Sequence, residues 1–348
     1  MPRFKDYDPF FMAGGKIDPL SEIRNSGIVT NGSVFWVKQT DDPDYTTFQD
    51  QVGASALRNT LQAGVDQVRS DTNDYVLVAP HTGGTALTLG TAVDVNEDRV
   101  HILGLGYKPV PQTYNGLTFQ GYVVATGNDT ELVMVTGAGV EIGGLKFLGT
   151  SGTDATGTIT TTFRAGTAST GTAHDLYLHD LQIENNNAAA GGGTAPIFEV
   201  TGDVGGGIQG LRVDRCWIGN WSWAPTPIVN FTGTAGPTRA EFRDCTFVTD
   251  AQATTDRFIT LGTGVTEYTI IDNCSFINVE AGTAPASAIV GALLVDNPVI
   301  VRNCYGGNIT AIGTDTELLA TPIQSGTAGA GMRNPGIGII GTAGIVAA

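Results

Sequence analysis

All four cysteines of the chain keep one rhythm. Cys216, Cys245, Cys274 and Cys304 follow one another at steps of 29, 29 and 30 residues. Each sits at the same place in a recurring stretch: VDRCWIGN at 213–220, FRDCTFVT at 242–249, IDNCSFIN at 271–278 and VRNCYGGN at 301–308. Thiols suggest metal binding first, but a four-cysteine zinc site needs convergent ligands, usually starting from a close pair. No two cysteines here are closer than 29 residues, so no metal is expected. Carboxylates recur beside the thiols. Asp180, Asp214, Asp244 and Asp272 fall one or two residues before the repeated position. Two such groups on neighbouring repeats could stand at the roughly 5 Å of retaining glycosidases or the roughly 6.5–9.5 Å of inverting ones. Asp is also a good bend residue, which accounts for the position without catalysis. The histidines His81, His101, His174 and His179 show no metal-ligand spacing, and no G-x-S-x-G elbow is present. GGGIQG at 205–210 fits the dinucleotide-loop pattern but leads into LRVDRC, a strand, so the phosphate-cradling helix is missing. The expectation is therefore no catalytic residue, no cofactor and no metal.

What must position these residues is a repeat. Two diverged copies precede the cysteine set, LHDLQIEN at 178–185 and IGGLKFLG at 142–149, with Leu181 and Leu145 at the marked position. The steps from Leu145 to Leu181 to Cys216 are 36 and 35 residues. A fixed period of this size means a solenoid, and a variable step means loops of different length on a constant frame. Three residues before the marked position stand Ile142, Leu178, Val213, Phe242, Ile271 and Val301; two after it stand Phe147, Ile183, Ile218, Phe247 and Phe276, with Gly306 the exception. Apolar residues two apart, with polar ones between, read as strands. Immediately before the mark come Gly144, Asp180, Arg215, Asp244, Asn273 and Asn303. Gly, Asn and Asp enter the left-handed region at least cost, so two short strands meet there at a sharp bend. Arg215 breaks the pattern.

This arrangement resembles the right-handed parallel β-helix, whose turns stack about 4.8 Å apart. The expected fold class is all-β: a solenoid over 75–310, a strand and capping helix over 31–74, and extended arms at 1–30 and 311–348. The six marked residues, Leu145, Leu181, Cys216, Cys245, Cys274 and Cys304, would form one buried column. Stacked neighbours lie within disulfide range, but parallel side chains point the same way, so free thiols are expected. ASALRNTLQAGVDQVRS at 54–70 puts Leu57, Leu61, Val65 and Val68 on one helical face, suited to cap the open end of a solenoid. GSVFWV, a polar loop, that helix and DYVLVAP look like the start of β-helix proteins common in tailed bacteriophages. HILGLG and VEIGGLKF look like the pectate-lyase-like β-helix superfamily. The Trp-Ile-Asp-His stretch of pectate lyases and the paired aspartates of polygalacturonases are not found.

Composition narrows the partners. Glycine supplies 48 of 348 residues, charged residues are 15%, and the formal charge is −16. Nucleic acid binding leans on Lys and Arg against phosphate, so neither nucleic acid nor an anionic membrane is an expected partner. The N-terminus shows no apolar run of signal-peptide length, and the sequons at Asn220 and Asn273 are read as unglycosylated. The arms carry Phe4, Tyr7, Phe10 and Phe11 at one end and GTAGAGMRNPGIGIIGTAGIVAA at the other. If such arms are ordered, they need sister subunits or another protein to lie against. CWIGNWSW at 216–223 holds Trp217, Trp221 and Trp223. Trp217 alternates with inward residues and should face outward, where aromatics suit an interface. Together with the phage resemblance, which also implies trimers, these features lead to one expectation. The chain is a non-enzymatic virion structural protein on the capsid surface, a decoration or cement homotrimer touching the major capsid protein. The alternative is a tailspike or receptor-binding fibre that binds or cleaves host polysaccharide.

Overall fold

The computed structural model describes residues 32–81, 87–89, 92–105, 122–125, 131–149, 161–166, 173–185, 196–202, 208–220, 227–233, 239–251, 253–261, 268–280, 282–291, 299–313, 318–320 and 332–333. They form a right-handed parallel β-helix. Successive turns build three sheets, of eleven, nine and seven strands among the described residues. Among the described residues, pairing is parallel except for Met332–Arg333, which runs antiparallel to Tyr305–Gly307.

The corner between the eleven- and nine-stranded sheets is the repeated stretch. Gly144, Asp180, Arg215, Asp244, Asn273 and Asn303 all have φ between +52° and +66°. The bends hydrogen-bond to one another along the axis: Asp180 N–H donates to Asp214 O (3.1 Å), Arg215 to Arg243 O (2.9 Å), Asp244 to Asp272 O (3.1 Å) and Asn273 to Arg302 O (3.1 Å). Arg215 tolerates the left-handed region because its guanidinium grips Asp180 of the turn before, with Nε–Oδ1 2.8 Å and Nη2–Oδ2 2.7 Å.

Leu145, Leu181, Cys216, Cys245, Cys274 and Cys304 are all at most 2% exposed. The strands on either side are in register from turn to turn, for example Asp214 with Arg243 and Trp217 with Thr246. The six therefore stack one above another. Cysteine adds to leucine a weak donor. Cys245 Sγ lies 3.2 Å from Arg243 O and 3.3 Å from Val213 O, and Cys274 lies 3.3 Å from Asp272 O. Burial pushes the Cys216 and Cys274 thiols up, away from the thiolate form that reacts. A thiol reagent is expected to label none of the four in the folded chain and all four in denaturant. Rapid labelling of the native protein would remove the buried column.

The solenoid's N-terminal end is closed differently from the single helix expected over 54–70. Two helices form instead, α1 at Tyr45–Val52 and α2 at Leu61–Val65, and between them Leu57–Arg58 is a strand. It pairs in parallel with Trp36 and Val37. Edge pairing satisfies backbone groups that a helix would have satisfied internally, and Thr60 then starts α2 by accepting a hydrogen bond from Ala63 N–H at 3.1 Å. The four apolar residues consequently split. Leu61, Val65 and Val68 plug the core beside Val37, Val76 and Val93. Leu57 joins a second cluster on the outer face with Val34, Trp36, Phe48, Leu77 and Ala79. There α1 lays Phe48 edge-on against Trp36, ring centres 5.3 Å apart.

Candidate functional site

Along the eleven-stranded sheet, alternate residues point out of the solenoid. Two outward rows result. The first runs Tyr75, His101, Glu141, Tyr177, Arg212, Glu241; the second runs Leu77, Leu103, Gly143, His179, Asp214, Arg243, Asp272, Arg302. Near the cap the rows are apolar and α1 covers them. Where that cover ends, they become a cluster of rings and charges.

Glu141 is the centre. One carboxylate oxygen meets His101 Nδ1 at 2.6 Å, from the turn before; the other meets His179 Nε2 at 3.0 Å, from the turn after. His179 Nδ1 lies 2.8 Å from Asp180 Oδ2, and Asp180 carries the Arg215 fork. The rings are packed as well as bonded. Tyr75 stacks on His101 at 4.4 Å between centres, Tyr177 on His179 at 4.7 Å, and the Arg212 guanidinium sits 5.0 Å above Tyr177. Tyr177 Oη reaches Asp214 Oδ2 at 3.3 Å, and Arg212 pairs with the same carboxylate at 2.6 Å. Farther on the signs alternate, with Arg243–Glu241 at 2.9 Å within one strand and Arg302–Asp272 at 2.7 Å between neighbours; the second pair, opposite charges on adjacent strands, favours the register.

The hydrogen bonds from His101 and then His179 bring the Glu141 carboxyl down to about 2, against the opposing effect of burial. Burial would lower the His179 pKa, but its bonds to Asp180 and Glu141 outweigh that and raise it to about 9. Asp180 is opposed by burial in the same way and lowered by His179 and Arg215. Chemically the cluster fixes the His179 imidazole between two carboxylates, with a partner at each ring nitrogen.

Glu141 sets an acid limit. Unfolded, it takes up a proton near pH 4.5; folded, near 2. Between those values the unfolded chain binds more protons, so this stabilisation is complete above about pH 4.5 and lost as pH falls through about 2. The carboxylate is 27% exposed, and after screening its share is on the order of 2–3 kcal/mol. Urea midpoints followed from pH 6 to 2 should fall in the native chain and fall less in Glu141→Gln. Parallel curves would reject the assignment.

The residues singled out from sequence separate here. His101 and His179 are brought together. His81 stands 3.7 Å from Asp41 in the cap region, and His174 Nδ1 accepts from Gln209 N–H at 3.0 Å. The four aspartates do not face one another as a pair. Asp180 and Asp214 join the ring cluster, whereas Asp244 meets Asn273 and Asp272 meets Arg302 and Asn303. Trp217 corrects an expectation. It points out of the barrel but is only 4% exposed, so its ring is not open to a partner. The outer face of the nine-stranded sheet carries a second covered layer, since Lys146, Leu148, Gln182 and Val248 are buried too. Trp221, Trp223, Phe4, Tyr7, Phe10 and Phe11 lie outside the described residues. Among the described residues, no group of three or more ligating side chains is placed to hold a metal. Sequence reading missed Glu141. The signal was present: positions four and two before the marked residue are the outward rows, and reading them turn by turn gives the cluster.

No protein-family model and no curated protein matches the chain. Solved structures do. YbhC of Escherichia coli is 14% identical, with a TM-score of 0.49, over 78% of this chain and 72% of its own. A pectin methylesterase mutant in complex with a hexasaccharide is 10% identical, with a TM-score of 0.37, over 82% and 81%. The pectin methylesterase of Aspergillus niger is 13% identical, with a TM-score of 0.34, over 83% and 73%. The likeness is one of fold. It also corrects the expectation of a non-enzyme, because solved proteins similar to this chain are enzymes; the resemblance of the chain to β-helix proteins does not separate scaffolds from catalysts.

Proposed function

We propose that this chain is a virion structural protein, a decoration or cement protein of a phage capsid. It acts as a homotrimer on the capsid surface, with its own copies and the major capsid protein as partners and neither nucleic acid nor membrane among them. The observation that carries the reading is the unit at 34–78. Its sequence resembles the opening of β-helix proteins of tailed bacteriophages, and it folds as a closure of the solenoid's first turns, with α2 in the core and α1 on the outer face. A closed rod of stacked turns is rigid without a ligand, and a formal charge of −16 disfavours adhesion to packaged nucleic acid. Imaging of whole particles is the test. A density repeated over the icosahedral shell, three chains per site, is expected. Absence from purified particles, or a monomer in solution and on the particle, would overturn the reading.

A second reading is favoured by one feature, the outward strip of Tyr75, His101, Glu141, Tyr177 and Arg212. Ring edges, a carboxylate and a guanidinium in one line offer hydrogen bonds suited to a polyhydroxylated chain. It corresponds to a tailspike or receptor-binding fibre acting on host polysaccharide. A few copies confined to the tail, with glycan binding lost in Tyr177→Ala, would move the assignment there.

A further inference from the structure

We propose that His179 is a protonation-operated clasp between turns of the solenoid: protonated, it ties the strands at 141–143 and 177–179 together on their outer face, and deprotonated, it lets them loosen. The geometry requires this ring to be charged. Both of its nitrogens stand against carboxylates, Nε2 against Glu141 at 3.0 Å and Nδ1 against Asp180 at 2.8 Å. Carboxylates only accept, so both nitrogens must donate, and only the imidazolium has two N–H groups. Neutral His179 would leave one carboxylate facing a lone pair.

The surroundings favour that reading from every side. On its own strand Tyr177 stacks on the ring. On the preceding strand stands Glu141, which also takes the hydrogen bond of His101, itself stacked on Tyr75. On the following turn Arg215 holds Asp180, and Arg212 with Tyr177 occupies Asp214. The negative charge of Glu141 therefore has no permanently charged partner in this group; its neutralisation rests on the histidines. Gly143 makes the contact possible. A Cβ at that position would stand 2.3 Å from His179 Cε1, so the ring lies in the space that the missing side chain leaves. The raised pKa of His179, about 9 against 6.5 for the free side chain, sets the direction. A group whose folded value is raised stabilises fully below its unfolded value and loses that contribution as pH rises through the folded one. The clasp's stabilisation is thus complete below about pH 6.5 and is lost as pH rises through about 9.

Amide hydrogen exchange of the full chain, corrected for intrinsic rates, reads the release locally. Between pH 6.5 and 9.5, protection of 141–149 and 177–185 should fall by roughly tenfold or more, while 268–278 holds. His179→Gln cannot titrate and should flatten the response. Gly143→Ala should do the same by a different route, since the flexible ring, not the backbone, must give way. Histidine-selective NMR gives a reading that needs no variant to fold: His179 should keep both N–H groups at pH 7.5. A His179 that titrates near 6.5 in the native chain, or a pH response that survives both substitutions, overturns the proposal.

Discussion

Phe276→Ala is expected to lower stability by about 3–5 kcal/mol. Phe276 is fully buried, stacked on Phe247 at 5.2 Å with ring planes 9° apart, and met edge-on at 5.5 Å by Phe258, the residue just before the strand Ile259–Leu261. Two turns and two sides of the core therefore share its ring. Removing it opens a cavity that stacked backbones, fixed at the strand spacing, collapse into poorly. The row it belongs to, Phe147, Ile183, Ile218, Phe247, Phe276, ends in Gly306, so no side chain from the next turn in this row fills the gap. Ser275→Ala, on the outward side of the same strand, should stay within about 0.5 kcal/mol. Urea unfolding measures both. A loss under about 1 kcal/mol for Phe276→Ala would mean that the ring is not packed between turns.

That row was legible from sequence, and so was the bend beside it. Both follow from the strand period and from the few residue types that accept a left-handed backbone, and both repeat turn after turn. Repetition makes a weak local signal strong: one Asn before one Cys says little, whereas Asp180, Asp244, Asn273 and Asn303 at one offset specify a bend. Arg215 was opaque for the opposite reason. Its φ of 52° is held by Asp180, 35 residues earlier, and no local rule connects the two.

The cap misled for a related reason. Leu57, Leu61, Val65 and Val68 have true helical spacing, yet Leu57 is drawn into a strand by hydrogen bonds from Trp36 N–H to Ala56 O (2.7 Å) and from Lys38 N–H to Arg58 O (2.9 Å). Pairing partners 20 residues apart decided the local structure. Trp217 misled because alternation reports which way a side chain points and not what covers it. The ring cluster was missed because each of its residues is ordinary alone. His101, Glu141 and His179 acquire a role only once register brings three turns side by side.

A buried ion pair in the cap should produce the other large effect. Lys38 and Asp42 are 2% and 0% exposed in their side chains and meet at 2.6 Å. Lys38 Nζ also donates to Pro80 O at 2.9 Å and lies 5.4 Å from the Phe48 ring centre; Asp42 accepts from Asp44 N–H at 2.9 Å. The pair thus links the first strand, the loop into α1 and the end of the strand at Tyr75–Val78. Asp42→Ala would leave an ammonium inside the protein with a carbonyl and a ring in place of its counter-ion, at a cost of about 3–5 kcal/mol. The intact pair is a different matter. Its Coulombic gain is offset by the desolvation of both ions, so Lys38→Met with Asp42→Leu should lie within about 1–2 kcal/mol of the native chain, on either side. The comparison separates two roles for the same atoms. If the double variant is as unstable as Asp42→Ala, the hydrogen bonds to Pro80 and Asp44 hold the cap. If it recovers stability while exchange at 45–52 becomes faster, the charges serve to fix where α1 docks, and the boundary at which its cover ends and the ring cluster begins depends on them.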